Sequence, residues 1–137
     1  MLSQGHQNLL NFEEKIVKPK TKQSTQVTTF VQEPKTLVLQ LNRFKFNQVD
    51  NRVMKIHEPL LFPQEVTLPS GTSFKLVATV NHSGETADAG HYTCLVVDQH
   101  TGSCFLVDDT SVSPSVITDE DISRQVYLLF YTKCKLF

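Results

Sequence analysis

The feature that most constrains the fold of this chain is a pair of apolar runs separated by a very short connection. Residues 91–98 and 104–108 carry the mixture of Val, Leu, Phe, Tyr and Thr that is typical of strands. The five residues between them, Gln-His-Thr-Gly-Ser, form turns readily. So short a connection permits only antiparallel pairing, because parallel strands need a crossover of about a dozen residues. The sequence therefore predicts a β-hairpin.

This hairpin is expected to bring together two side chains of complementary chemistry. If the hairpin is centred between Gln99 and His100, Asp108 lies directly across from His91 on the same face. Cβ atoms of such cross-strand neighbours are about 4.5–5.5 Å apart. A slip of one residue in the register would place the two side chains on opposite faces of the hairpin. An imidazole held by a carboxylate is the base-and-orienter half of a triad in which Ser or Cys is the nucleophile. On these residues alone, an ordinary strand histidine remains the alternative for His91.

Further strands are expected on either side of the hairpin. Leucines at 37, 39 and 41 give a period of two, which predicts a strand over residues 36–46. Similar alternation predicts strands over residues 74–82 and 126–133. The segment 118–121 has an N-cap candidate followed by acidic residues, which predicts one or two helical turns ending at Ser123. The fold class is therefore α+β and mainly antiparallel β, with little helix.

Several short motifs occur in an order that resembles one enzyme family. The segments that carry the resemblance are His82-Ser83-Gly84, Gly90-His91-Tyr92, Phe105 to Val112, Pro34 to Phe44, Phe62-Pro63 with Leu68, and Tyr127 to Lys133. Together they are similar to the C-terminal part of the catalytic domain of the ubiquitin-specific proteases, which are deubiquitinating cysteine proteases. One departure is Asn42, which stands where the family usually has lysine. The match covers residues 34–133.

The resemblance implies a fold, a reaction and roles for particular residues. The fold would be the C-terminal, palm-type part of a papain-like domain. The reaction would be thiol-dependent hydrolysis of isopeptide bonds at the C-terminus of ubiquitin or a ubiquitin-like modifier, with no metal or organic cofactor. His91 would be the catalytic base and Asp108 its orienter, with Asp109 in reserve. His82, Gly90 and Tyr92 are expected at the substrate-binding site, and for His82 a structural role at the end of its strand ranks first.

The nucleophile that the family requires is not evident in this sequence. The family's cysteine precedes a helix in an N-terminal box, and no such segment is recognised here. Cys94 and Cys104 lie in apolar strand runs and Cys134 follows the last strand, so none has the helix N-terminal setting that lowers a thiol pKa. We expect the chain to be part of a longer enzyme and inactive alone. The alternative is a non-catalytic ubiquitin-binding or regulatory fragment with the same fold.

Composition and charge limit the remaining function classes. A net charge of −1 gives no electrostatic reason to expect nucleic acid or an anionic membrane as partner. An odd cysteine count without framework spacing suits a reducing compartment, so cytoplasm or nucleus is expected. Without a Cys-x-x-Cys pair, a structural zinc site is not expected. Residues 1–33 are expected to be the polar end of a fingers-like region, 34–133 the catalytic-domain part and 134–137 a tail.

Overall fold

The computed structural model describes residues 13–17, 23–27, 29–86 and 88–134, and its architecture is an antiparallel sheet with two small accessory hairpins. The elements are β1 Glu13–Val17, β2 Gln23–Val27, β3 Thr36–Gln40, β4 Phe44–Asn47, β5 Arg52–Lys55, β6 Glu65–Thr67, β7 Ser73–Ser83, β8 His91–Val97, β9 Cys104–Asp108, β10 Ser111–Ser115, α1 Glu120–Gln125 and β11 Val126–Lys133. The seven-stranded sheet has the order β10-β9-β8-β7-β11-β3, and β6 pairs with β7. The fold class predicted from the sequence is confirmed.

The core lies on the face of the sheet that alternation predicts for β3. Leu37 and Leu39 are buried, while the residues between and beside them are not. The buried cluster comprises Leu37, Leu39, Leu41, Leu68, Phe74, Leu76, Val126, Leu129 and Tyr131. Full burial of one such side chain stabilises the fold by roughly 1.5–3 kcal/mol. This cluster packs β7 and β11 into the core, and β3, β6 and β8 pair with these two strands.

The expected strand over residues 36–46 is interrupted, which corrects one prediction. Strand β3 ends at Gln40, and β4 begins at Phe44 in a separate two-stranded sheet with β5. Between them the Arg43 guanidinium is buried and donates hydrogen bonds to four backbone carbonyls, those of Ile56, Glu58, Ser123 and Val126. Arg43 thereby ties the break between the two strands to α1, to β11 and to the segment after β5. Periodicity alone did not reveal the β4–β5 hairpin.

The β8–β9 hairpin forms as predicted, but its register is shifted by two residues. Val97 pairs with Cys104 and Cys94 with Val107, so the centre lies between residues 100 and 101. The cause is a four-residue loop closed by Asp98, whose N–H donates to the Ser103 carbonyl. A shift of two keeps every side chain on its expected face, since the side-chain period is two.

The remaining predictions concern the helix and the two termini. Helix α1 begins after Asp119, whose carboxylate accepts from the Ile122 N–H, and it ends at Gln125 rather than Ser123. Strands β1 and β2 form a hairpin within the segment predicted to be polar. Residues 1–12, 18–22 and 28 of that segment, and residues 135–137 of the predicted tail, lie outside the described residues. In the described part of the chain, no helix has the length and apolarity needed to cross a membrane.

Candidate active site

A histidine and an aspartate meet at one end of the β8–β9 hairpin. His91 is the first residue of β8 and Asp108 is the last of β9. The Nε2–H of His91 donates a hydrogen bond of 2.5 Å to Oδ1 of Asp108. Both side chains are 49% exposed, so the pair is open to a molecule that approaches from solvent. Because Nε2 is engaged, Nδ1 is the ring nitrogen left for proton transfer.

The carboxylates around His91 favour its protonated form. The hydrogen bond that His91 donates to Asp108 has the largest effect, followed by the charge of Asp108, and together they raise the pKa of His91 above its ordinary value of 6.5. The charge of Asp109 adds to this effect. Asp109 occupies the two-residue turn between β9 and β10 with φ of 49°, a left-handed conformation that few residues other than glycine adopt. This turn keeps a second carboxylate near the imidazole.

The same three side chains are the described residues that could bring ligands to one metal ion. Ligand atoms of His91, Asp108 and Asp109 lie within 4.8 Å of one another. All three side chains are exposed, and two of them are hydrogen-bonded to each other. We interpret the cluster as a hydrogen-bonded pair with a neighbouring carboxylate, and we assign no metal to it.

His82, by contrast, lies inside the protein. It is 2% exposed, and its ring packs against those of Phe44 and Tyr92, at centroid distances of 6.1 and 4.8 Å. Its Nδ1 is buried and has no hydrogen-bond partner among the described residues. Burial lowers the pKa of His82, and the nearby ammonium of Lys55 lowers it further. This ring is therefore neutral at physiological pH and does not present a polar edge to solvent.

The other two residues expected at the substrate-binding site lie on the surface beside His91. Tyr92 is 54% exposed, although its ring also contacts His82. Gly90 is exposed and lies against the His82 ring on its inner side. Gly90, His91 and Tyr92 are thus consecutive exposed residues, but the side chains of His91 and Tyr92 leave β8 on opposite faces, and it is Tyr92 that packs against His82.

Lys55 is a residue of this region that sequence reasoning missed. It is 7% exposed, and its Nζ donates to the backbone carbonyl of His82. Its own N–H donates to the carbonyl of Glu85 at 3.0 Å. One residue at the end of β5 thereby fastens the β4–β5 hairpin to the connection between β7 and β8. The sequence signal for this role is weak: Lys55 follows Val53 at the spacing of two that puts residues of a strand on one face.

The three cysteines are not arranged to react with His91. Cys94, three residues along β8 from His91, faces the other side of the sheet, and burial raises the pKa of its thiol. Cys104 lies at the opposite end of β9 from Asp108, where its Sγ is 3.7 Å from the Gly102 carbonyl oxygen. Cys134 follows β11, and its N–H donates to the Ser73 carbonyl. None of them completes a catalytic triad.

Sequence comparisons place this arrangement in a known context. A family model described as ubiquitin carboxyl-terminal hydrolase matches residues 5–131. The chain is 28% identical to ubiquitin carboxyl-terminal hydrolase 3 of Saccharomyces cerevisiae, over 77% of this chain and 16% of that protein. It is 33% identical to ubiquitin carboxyl-terminal hydrolase 17-like protein A of Mus musculus, over 73% of this chain and 19% of that protein. The chain thus spans less than a fifth of the length of these two relatives.

Two solved structures have a similar fold. The chain is similar to a structure of the Ubp8-Sgf11-Sgf73-Sus1 SAGA DUB module, with a TM-score of 0.68 and 25% identity over 93% of this chain and 30% of the solved chain. A SAGA DUB module bound to ubiquitin aldehyde matches with a TM-score of 0.64 and 22% identity, over 96% of this chain and 31% of the solved chain. The second likeness concerns the fold alone.

Proposed function

The chain belongs to the ubiquitin carboxyl-terminal hydrolase family, and from that premise we propose that it supplies the histidine and aspartate of a cysteine-type deubiquitinase. The observation that carries the proposal is the hydrogen bond of 2.5 Å between His91 Nε2 and Asp108 Oδ1. A carboxylate in this position fixes the tautomer and orientation of the imidazole and stabilises its charged form. Those are the requirements for a general base that activates a thiol.

His91 performs the proton transfers in this mechanism. With its Nε2–H bound to Asp108, Nδ1 carries the free lone pair and takes the proton of the cysteine thiol. The raised pKa of His91 favours the resulting imidazolium, which lies beside the thiolate. The thiolate attacks the carbonyl of the scissile isopeptide bond, and the imidazolium returns its proton to the leaving lysine amine. Water activated by the same nitrogen then releases the C-terminal carboxylate from the acyl-enzyme.

The two neighbouring carboxylates have unequal roles in the proposal. Asp108 orients His91 because it accepts the Nε2–H directly. Asp109 contributes charge without that hydrogen bond, so it is the reserve orienter. The exposed residues Gly90 and Tyr92, which flank His91 in the chain, are proposed to contact the C-terminal residues of ubiquitin or a ubiquitin-like modifier.

The nucleophile is proposed to come from another part of the complete catalytic domain. Cys94, Cys104 and Cys134 are not positioned beside His91 in the structure, and burial raises the pKa of the Cys94 thiol. A reactive thiolate needs an electropositive and partly exposed setting. The half-exposed His91 and Asp108 can be covered by a second lobe that brings such a cysteine to Nδ1.

A chimera with the budding yeast relative tests this proposal. In the chimera, this chain replaces the segment of ubiquitin carboxyl-terminal hydrolase 3 with which it aligns. We expect the chimera to cleave a fluorogenic ubiquitin substrate, and we expect the 137-residue chain alone to be inactive. A folded chimera without activity would contradict the proposal. Labelling of the isolated, folded chain at one of its own cysteines by an electrophilic ubiquitin probe would also contradict it.

The position of the cysteines favours a second candidate function. A chain whose own thiols do not reach His91 can act as a non-catalytic ubiquitin-binding or regulatory module with the same fold. The two candidates differ in one measurable respect. If the chain is a regulatory module, it binds ubiquitin, and changes in ubiquitin amide resonances would detect this binding. The chimera with the yeast relative would then be inactive.

A further inference from the structure

Two glycines at the ends of the β7–β8 connection are crowded by one ring. A Cβ atom on Gly90 would lie 2.2 Å from Nε2 and 2.9 Å from Cε1 of His82. A Cβ atom on Gly84 would lie 2.5 Å from the Ala89 carbonyl oxygen and 3.1 Å from Cε1 of the same ring. At Gly71 and Gly102, in contrast, a Cβ atom would meet no atom of the described residues within 4 Å. Residues 84 and 90 are therefore glycines because of packing against His82 and the adjoining backbone.

The His82 ring is held firmly in this position. It packs against Phe44 and Tyr92, it is 2% exposed, and its backbone carbonyl accepts a hydrogen bond from Lys55 Nζ. Residue 82 pairs with Tyr92 in the sheet, and the next pair along is Ser83 with His91. The ring thus lies between the main sheet, the β4–β5 hairpin and the backbone that leads into the catalytic candidate.

We propose that His82 is a positioning residue, whose buried ring closes the base of the β7–β8 connection and thereby sets the backbone of Gly90 so that His91 meets Asp108. The inference rests on the proposed function, since it explains how the base of that reaction is held. His82 does not touch substrate in this scheme. It acts through Gly90, whose Cα approaches the ring as closely as only a residue without a side chain allows.

The chemical state of the ring agrees with a role in shape and packing. Burial lowers the pKa of His82, and the ammonium of Lys55 lowers it further, so the ring is neutral. Its Nδ1 has no hydrogen-bond partner in the described part of the chain, which is unusual for a buried polar atom and needs a specific reason. A flat neutral ring is thin enough to lie between Phe44, Tyr92 and the two glycines. This fit explains why a histidine with an unpartnered Nδ1 occupies the position.

The state of the His91 ring in the full 137-residue chain tests the proposal without any assay of activity. At a pH above the raised pKa of His91 the ring is neutral, and its ¹⁵N chemical shifts report which nitrogen carries the proton; in the unaltered chain we expect His91 to be held as the Nε2–H tautomer by Asp108. In His82→Ala we expect these shifts to move to the mixture of tautomers of a free imidazole. In Gly90→Ala we expect the same change, because the new methyl collides with the ring. His100→Ala and Gly102→Ala, which make the same substitutions at open positions, serve as matched controls and leave the His91 shifts unchanged.

The combination of the two substitutions provides the decisive outcome. If His82 acts through Gly90, His82→Ala with Gly90→Ala is no worse than the more damaging single change, because loss of the ring also removes the ring atoms with which the new methyl collides. Simple addition of the two effects would overturn the proposal, as would a folded His82→Ala with unchanged His91 shifts. Should His82→Ala not fold, Gly90→Ala with unchanged His91 shifts would overturn it, and altered shifts would support it. An inactive chimera would refute the proposed function, but the dependence of the His91 tautomer on His82 would still stand.

Discussion

The two ends of the β8–β9 hairpin hold the same residue types but use them differently. At one end His91 donates to Asp108 at 2.5 Å across two strands. At the other end His100 Nδ1 lies 3.7 Å from Oδ1 of Asp98, and that oxygen already accepts from the His100 and Thr101 N–H groups at 2.8 and 3.3 Å. A carboxylate that caps a turn is committed to the backbone. Proximity of histidine and aspartate is therefore not sufficient, and a candidate site requires a carboxylate that is free to hold the ring.

The largest expected difference between the two ends concerns turnover. In the chimera we expect His91→Ala to reduce kcat by more than about 10³-fold, since both the base and the acid of the reaction are removed. His100→Ala makes the same change at the other end and leaves kcat unaltered. Hydrolysis of a fluorogenic ubiquitin substrate measures both. Comparable losses of kcat in the two variants would show that His91 has no special role in turnover.

The carboxylates sharpen the comparison. Asp108→Asn keeps the shape but favours the wrong imidazole tautomer, a change that costs about 10⁴ in kcat in the serine proteases. We expect a smaller loss here, because a thiolate and an imidazolium stabilise each other. Asp98→Asn at the capped turn leaves kcat unchanged, and Asp109→Asn has less effect than Asp108→Asn. If Asp109→Asn were the more damaging change, the orienter would be Asp109.

The glycine at each end gives a smaller contrast, in stability. Gly102 has φ of 73°, and an added Cβ atom would meet none of the described atoms within 4 Å, so the cost of Gly102→Ala is that of a left-handed backbone alone. We expect the free energy of unfolding to fall by about 1 kcal/mol. Gly90→Ala meets a ring and a backbone oxygen, and we expect a larger loss. Urea unfolding of both variants measures the difference, and equal losses would contradict the packing explanation for Gly90.

The smallest expected difference is in the pH dependence of stability, where the two ends have opposite signs. The pKa of His91 is raised, so its contribution is complete below 6.5 and is lost as the pH rises through the folded value. The pKa of Asp98 is lowered by the N–H groups of His100 and Thr101, so its contribution is present above 3.8 and is lost as the pH falls through the folded value. Asp108→Asn should flatten the first change, and Asp98→Asn should flatten the second. Unfolding free energies measured from pH 3 to 9 would test this, and an Asp98→Asn variant with an unchanged acid limb would contradict it.

The sequence predicted the parts of the fold that depend on local periodicity. Strands at 126–133 and around 74–82 and 91–98 occur nearly as expected, because alternation and short turns are local signals. The hairpin register was wrong by two residues, since Asp98 closes a loop whose length depends on its own hydrogen bonds. The error left His91 and Asp108 on one face, which is why the pairing of their side chains was nevertheless anticipated.

The features that the sequence did not reveal depend on distant contacts. The burial of His82 comes from Phe44, which precedes it by 38 positions in the chain, and from Tyr92. Lys55 binds a carbonyl 27 residues away. An isolated histidine or lysine carries no local mark of such partners, so its environment emerges only when the strands are assembled.

The buried guanidinium of Arg43 has a consequence for the time course of folding. Two of its carbonyl partners belong to Ser123 and Val126, 80 and 83 residues further along the chain. Its contacts cannot form until β11 has returned to the neighbourhood of β3, and closing so long a loop is entropically slow. We therefore expect Arg43 to be fixed late, after the transition state for folding. Weakening its contacts would then chiefly accelerate unfolding and leave the rate of folding nearly unchanged.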